Sequence, residues 1–231
     1  MPKTLVSLLE LVRSLARLPR AELEFHTAMD PGNVQRIFKH FNKRHPRYWV
    51  IRHKTMGAAL VDLRRFGTGG DYMSTLKGRN RAESQARRAR SRGYRVVQID
   101  RNNYIDDIHH INTSVEVRQG KPMSESYLNK QTHYERDRNY LYYGTLDSTG
   151  RLVAYGEVGL WGNFAAFNRV IGIRNNDGIM HLMVTEIICH FIEEGRFHYL
   201  MYDTYFGASP GLKMFKDALG FTPYRARYSL R

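Results

Sequence analysis

Hydrophobic and polar positions along this chain change period several times, and the sharpest changes fall in its last fifty residues. Leu182, Val184, Ile187, Ile188, Phe191 and Ile192 recur close to a 3.6-residue period, which predicts a helix over 180–194 that Gly195 stops. The aromatic run 196–203 predicts a strand. A turn-rich segment follows, then a short helix over 212–219 closed by Gly220, and 221–228 is expected to return as an edge strand.

Upstream, 140–146 and 152–158 predict a hairpin around Asp147, Ser148, Thr149 and Gly150, residues that tolerate tight turns. Residues 164–173 add the next strand. A short strand is expected over 96–99 and a helix over 104–118. Asp30 followed by Pro31 marks the start of a basic helix over 31–43. Residues 1–30 read as an amphipathic helix with a break at Pro19. Residues 48–52 and 58–63 read as a strand pair. Gly67, Thr68, Gly69 and Gly70 read as a hinge loop, because the Lys-Ser/Thr ending of a Walker motif is missing. At 231 residues and 42% hydrophobic, the chain can bury a full core. The division expected is a helical N-terminal extension over 1–45 and an α/β domain over 46–231.

Charge sharpens this picture. The formal net charge is +14, which calls for a polyanionic partner or an anionic surface. Lys77, Arg79, Arg81, Arg87, Arg88, Arg90, Arg92 and Arg95 crowd one stretch against the single acid Glu83. A helix with Ala82, Ala86 and Ala89 inward would present them as a basic ridge able to follow phosphates; a solvated basic face is the alternative. The lone Cys189 lies in the apolar helix and reads as a small buried hydrophobe, consistent with a reducing cytoplasm. No apolar run approaches the roughly 20 residues of a bilayer-spanning helix. The ten histidines show no metal-ligand spacing with Cys or carboxylates, so no metal and no resident cofactor are expected.

The order helix, strand, turn, helix, strand over 180–231, with Phe215-Lys216-Asp217-Ala218-Leu219-Gly220-Phe221 near its end, resembles the final third of the GNAT acyltransferase fold. The basic stretch after Leu76 is similar to the Arg/Lys-rich first helix of the Fem peptidyltransferase and aminoacyl-tRNA-protein transferase branch. The resemblance implies a mixed twisted sheet whose central strands, the one after the hairpin turn and its successor, splay apart to admit an acyl donor. It implies Glu157 as a general base near the splay, with a sheet ion pair to Arg169 as the alternative. It further implies Tyr205 beside the leaving oxygen, Asp203 holding an α-amino group, and Lys216, Phe215 and Arg174 on the donor. Lys77, Arg79, Arg81, Arg87, Arg88 and Arg92 would bind nucleic acid.

Acetyl-CoA enzymes place Arg/Gln-x-x-Gly-x-Gly/Ala before the central helix, to aim backbone N–H groups at a pyrophosphate. This chain has Arg174-Asn175-Asn176-Asp177-Gly178-Ile179-Met180, with one glycine and an aspartate expected to repel phosphate. That departure favours an aminoacyltransferase that moves an amino acid from charged tRNA to an amine on a peptide or small molecule. The alternatives are an N-acyltransferase using acyl-CoA or an acidic acyl carrier protein, and a non-catalytic RNA-binding module on the same fold.

Overall fold

The computed structural model describes residues 15, 17–44, 52–78, 81–118 and 121–231. Most of the expected helix over 1–30, the strand over 48–52 and Arg79 lie outside them. Strands β1 (Arg20–Phe25), β2 (Met56–Asp62), β3 (Arg95–Gln98), β6 (Tyr140–Leu146), β7 (Leu152–Leu160), β8 (Phe164–Gly172), β9 (Tyr199–Thr204) and β10 (Thr222–Leu230) make one eight-stranded sheet. Its order is β1-β10-β2-β9-β8-β7-β6-β3. The pairs β1/β10 and β8/β9 are parallel and the rest antiparallel. Two-residue strands β4 (Val117–Arg118) and β5 (Lys121–Pro122) form a separate ribbon.

The helices are α1 (Pro31–Asn42), α2 (Gly69–Leu76), α3 (Ala82–Ser91), α4 (Ile105–Thr113), α5 (Glu125–Leu128), α6 (Ile179–Glu194) and α7 (Pro210–Ala218). Asp30 caps α1 through Asn33 N–H, with Pro31 in the first turn, as the sequence predicts. The reading of 67–70 as a hinge gives way to a capping box: Thr68 and Asp71 satisfy each other's backbone N–H groups, so α2 begins at Gly69. The helix expected over 104–118 shortens to α4, which is preceded by a 3₁₀ turn over Arg101–Tyr104.

Two corrections concern the sheet edge. Residues 20–25, expected inside a helical extension, are a strand, because Ala21, Leu23 and Phe25 alternate inward. The segment after Gly220 is not an edge strand: β10 lies between β1 and β2.

The β7 sequence LVAYGEVGL is buried along its whole length, since α6 packs on one face and α4 on the other. The core under α6 joins Val184, Ile188 and Phe191 to Val61, Val158 and Leu200. Opposite, Phe25 packs edge-on to Phe38, Phe41 and Phe164 and seats α1 on the sheet.

A candidate active site at the splay between β8 and β9

The β8/β9 ladder joins Phe164, Ala165 and Ala166 to Tyr199, Leu200 and Met201 and then stops. Past that point β8 continues to Gly172 and β9 to Thr204 without pairing to each other. The splayed pair is therefore β8 and β9. The expectation that β7 and β8 separate is corrected, because those two stay paired from Ala154/Gly172 to Leu160/Ala165.

The cause is local. The β7/β8 register passes from Glu157↔Arg169 to Val158↔Phe167, leaving Asn168 as the extra residue of a β-bulge on β8. A bulge bends and over-twists its strand, and here it falls just where β8 leaves β9. On the other side of the gap, Asp203 holds φ 53°, the single non-glycine residue with positive φ among those described.

Two cavities open on this gap and share Val170, Tyr202 and Leu212. The first, of about 840 Å³, lies between α1, β8 and the segment around Tyr127. Arg36, Lys54, Arg169 and Arg174 line it, and among the described residues Asp203 is the only carboxylate that does. His40 also lines it, with its ring edge-on to His53 at 5.0 Å. Burial, then the positive charges of Lys54, His53 and Lys43, hold the His40 imidazole below its usual pKa, with Asp203 opposing weakly. Asp203 accepts from the Lys54 ammonium at 2.7 Å. Burial pushes its pKa up, but Lys54 and more distant Lys216 outweigh this, so the carboxylate stays ionised below its ordinary range.

The second cavity, of about 780 Å³, lies at the N-terminus of α6 and is lined by Asn175, Asn176, His181, Phe215 and Arg88 among others. His181 packs on Phe215 at 4.9 Å, and burial lowers its pKa. Asp177, expected to repel phosphate, is turned away: its carboxylate pairs with Arg92 and accepts from the Tyr94 hydroxyl. Gly178 caps α6 at φ 83°, and a Cβ there would sit 2.4 Å from the Gln85 carbonyl oxygen. The single glycine of the loop thus serves the close approach of α3.

Several expected site residues have other work. Glu157 is 4% exposed. It accepts from Arg101 Nη1 at 3.0 Å, Asn168 Nδ2 at 3.0 Å and Arg169 Nη1 at 3.4 Å. Its assignment as general base is corrected: two guanidiniums and an amide hold its oxygens, which removes its reach. It orients Arg169, whose guanidinium also stacks on Tyr127 at 4.6 Å.

Tyr205 lines neither cavity and donates to Asp217 at 2.8 Å, so its place beside a leaving oxygen is corrected as well. Lys216 is 1% exposed and donates to the Thr204 carbonyl at 2.8 Å. Burial pushes its pKa down to about 8. It clamps the end of β9 and does not reach outward to a phosphate. Asp203, Phe215 and Arg174 do reach the gap, Arg174 while donating to the Val117 carbonyl at 3.0 Å.

The basic helix α3 has Ala82, Ala86 and Ala89 buried, as expected, with Ala86 and Ala89 packed in one cluster with Leu182. Arg81, Arg87 and Arg88 are exposed, as is Lys77 at the end of α2. Arg92 is engaged by Asp177 and Arg90 by Glu186. The sequence reading missed His40 and Lys54; Lys39-His40 in the last turn of α1 was the signal that could have found the first.

No protein-family model matches this chain, and no curated protein matches it. Solved structures do. FemX aligns over 84% of this chain and 66% of its own, at 10% identity and a TM-score of 0.58. The chain shares the fold of FemX, an α/β, GNAT-like architecture. A C-terminal domain described as belonging to a lysylphosphatidylglycerol synthetase from Agrobacterium fabrum aligns over 74% of this chain and 58% of its own, at 15% identity and a TM-score of 0.50. A tandem GNAT protein from the clavulanic acid biosynthesis pathway aligns over 74% and 52%, at 18% identity and a TM-score of 0.46. The chain thus spans about three fifths of the length of the first two structures. Among the described residues, no group of three or more His, Cys, Asp and Glu is placed to hold a metal ion, and no helix is long and apolar enough to cross a membrane.

Proposed function

We propose that this protein is an acyltransferase of the aminoacyl-transferring kind. An amino acid esterified to tRNA enters from the second cavity, and an amine acceptor enters from the first. The observation that carries this reading is the β8/β9 gap, which ends the ladder after Ala166/Met201 and opens on both sides. The acceptor nitrogen attacks the ester carbonyl, the C–N bond forms, the C–O bond to the ribose breaks, and that oxygen takes a proton. A tRNA ester is already activated, so orientation and carbonyl polarisation supply most of the rate. Asp203 holds the acceptor as its ammonium. His40, kept neutral at pH 7 by burial and then by the positive groups around it, accepts the proton as the amine reacts. Exposed Arg81, Arg87 and Arg88, with Lys77 beyond them, follow the tRNA backbone past Arg88 at the mouth of the second cavity. The synthetase domain is named for making a lysyl-bearing product, which supports aminoacyl transfer.

Asp177 favours a second reading. Its charge is compensated by Arg92, which removes one objection to a pyrophosphate at the α6 N-terminus and keeps acyl-CoA as the alternative donor.

The test offers the protein bulk aminoacyl-tRNA, or acetyl-CoA, with a panel of phosphorylated and plain amines, and reads products by mass. Transfer from tRNA is expected, with His40→Ala lowering turnover by about 10²–10⁴. The wild-type rate should fall as pH drops through the His40 pKa, below 6.5. A clear thermal shift and turnover with acetyl-CoA alone would overturn the donor choice.

A further inference from the structure

We propose that the first cavity is an oxyanion subsite, so that the acceptor is an amine carrying its own phosphate or carboxylate group. Four cationic side chains, Arg36, Lys54, Arg169 and Arg174, reach it from α1, the segment before β2, β8 and the loop before α6. Among the described residues one carboxylate, Asp203, faces them, and Lys54 holds one of its oxygens at 2.7 Å. Adding the wall behind, Arg101 and Glu157 cancel, so a net positive charge of three stays in a concave space. Such a surplus in a cleft with low-dielectric walls focuses a field on anions.

Arg169 is pre-oriented by Glu157 and Tyr127, with little rotamer freedom left to lose on binding. Trp161, 2% exposed and part of the same wall, has an indole N–H without a hydrogen-bond partner among the described residues. A buried donor without an acceptor is costly, and a ligand oxygen in the cavity supplies one. The volume suits a phosphorylated or polycarboxylate small molecule or a short peptide end. The lysine of a folded basic protein brings the wrong charge for this space.

That the bound anion is the acceptor rests on the transfer reading; that an anion binds does not. The test therefore uses inorganic pyrophosphate and citrate with the full chain in chloride buffer, followed by calorimetry without any donor. Saturable one-to-one binding of at least one anion is expected, and the one preferred identifies phosphate or carboxylate as the recognised group. A hydrogen bond to a charged group contributes about 1.5–3 kcal/mol, so Arg36→Ala/Arg174→Ala should weaken binding by about tenfold or more. Both side chains are exposed, so the variant keeps its core; should it nevertheless fail to fold, each single variant reads part of the same loss. Arg225→Ala/Arg227→Ala, exposed on β10 and lining neither cavity, should stay within about twofold of wild type, well under 1 kcal/mol. Binding of neither anion, or equal weakening by both double variants, would sink the subsite. A protein that binds pyrophosphate here yet transfers nothing keeps the subsite and loses the transfer reading, and the reverse outcome separates them equally.

Discussion

The two cavities that meet at the β8/β9 gap are built from different materials. Charged side chains from α1, the segment before β2, β8 and the loop before α6 furnish the first, positions far apart in the chain that only the finished sheet brings together. The second is furnished chiefly by one short segment at the start of α6, Ile173, Asn175, Asn176 and Gly178 to His181, with α7 and one face of α3 as walls. A loop before a helix can be found by motif, whereas a ring of arginines on separate strands cannot. The contrast also divides labour: fixed charge for recognition on one side, backbone and helix terminus on the other.

Variants can break or sharpen that division. The largest effect is expected for Glu157→Ala, which leaves the half-buried guanidiniums of Arg101 and Arg169 without their shared carboxylate and should cost about 3 kcal/mol of stability. Glu157→Gln, if folded, should weaken anion binding in the first cavity, with turnover at saturation within about tenfold of wild type. A loss of 10²–10⁴ in turnover with unchanged stability would restore Glu157 as a base. Next comes the second cavity. Arg87→Ala/Arg88→Ala should weaken tRNA binding and flatten its salt slope by about two units, one per lost phosphate contact. Arg92→Ala should act chiefly on melting temperature, because Arg92 answers Asp177.

Lys216 sits at the seam. Its folded pKa, about 8, lies below its ordinary 10.5, so between these values the unfolded chain holds a proton that the native one has shed. Stability therefore rises with pH across that window, by up to about 3 kcal/mol. Denaturant midpoints at both ends of the window, wild type minus Lys216→Met, should reveal that rise, and equal slopes in the two would refute it. Smallest is Tyr205→Phe, outside both cavities. Losing an exposed hydroxyl bonded to Asp217 should cost under about 1 kcal/mol and leave turnover untouched.

Much of the fold was legible because local period reports local structure. Leu182 to Ile192 announces α6, the aromatic run announces β9, and the three alanines of α3 announce its buried stripe. What stayed hidden depends on long-range pairing. Residues 20–25 alternate like a strand, but their partner is 200 positions away, and nothing nearby in sequence signals it. The splay was placed one strand too early because Asn168 looks like any other strand residue until its bulge is seen. Glu157 illustrates the same limit: an ion pair with Arg169 across the sheet was readable as the alternative, but the Arg101 that also binds it arrives from a 3₁₀ turn 56 residues upstream.

The parallel register of β1 on β10, Arg20↔Arg225 through Phe25↔Leu230, has a kinetic consequence. Arg231 N–H donates to the Phe25 carbonyl at 2.8 Å, so contacts of very long sequence separation close one edge of the sheet. Closing so large a loop is entropically expensive and slow. Phe25 is also the aromatic seat of α1, which carries Arg36 and His40. The wall of the first cavity is therefore expected to be among the last parts to form after synthesis, with the second cavity assembled ahead of it.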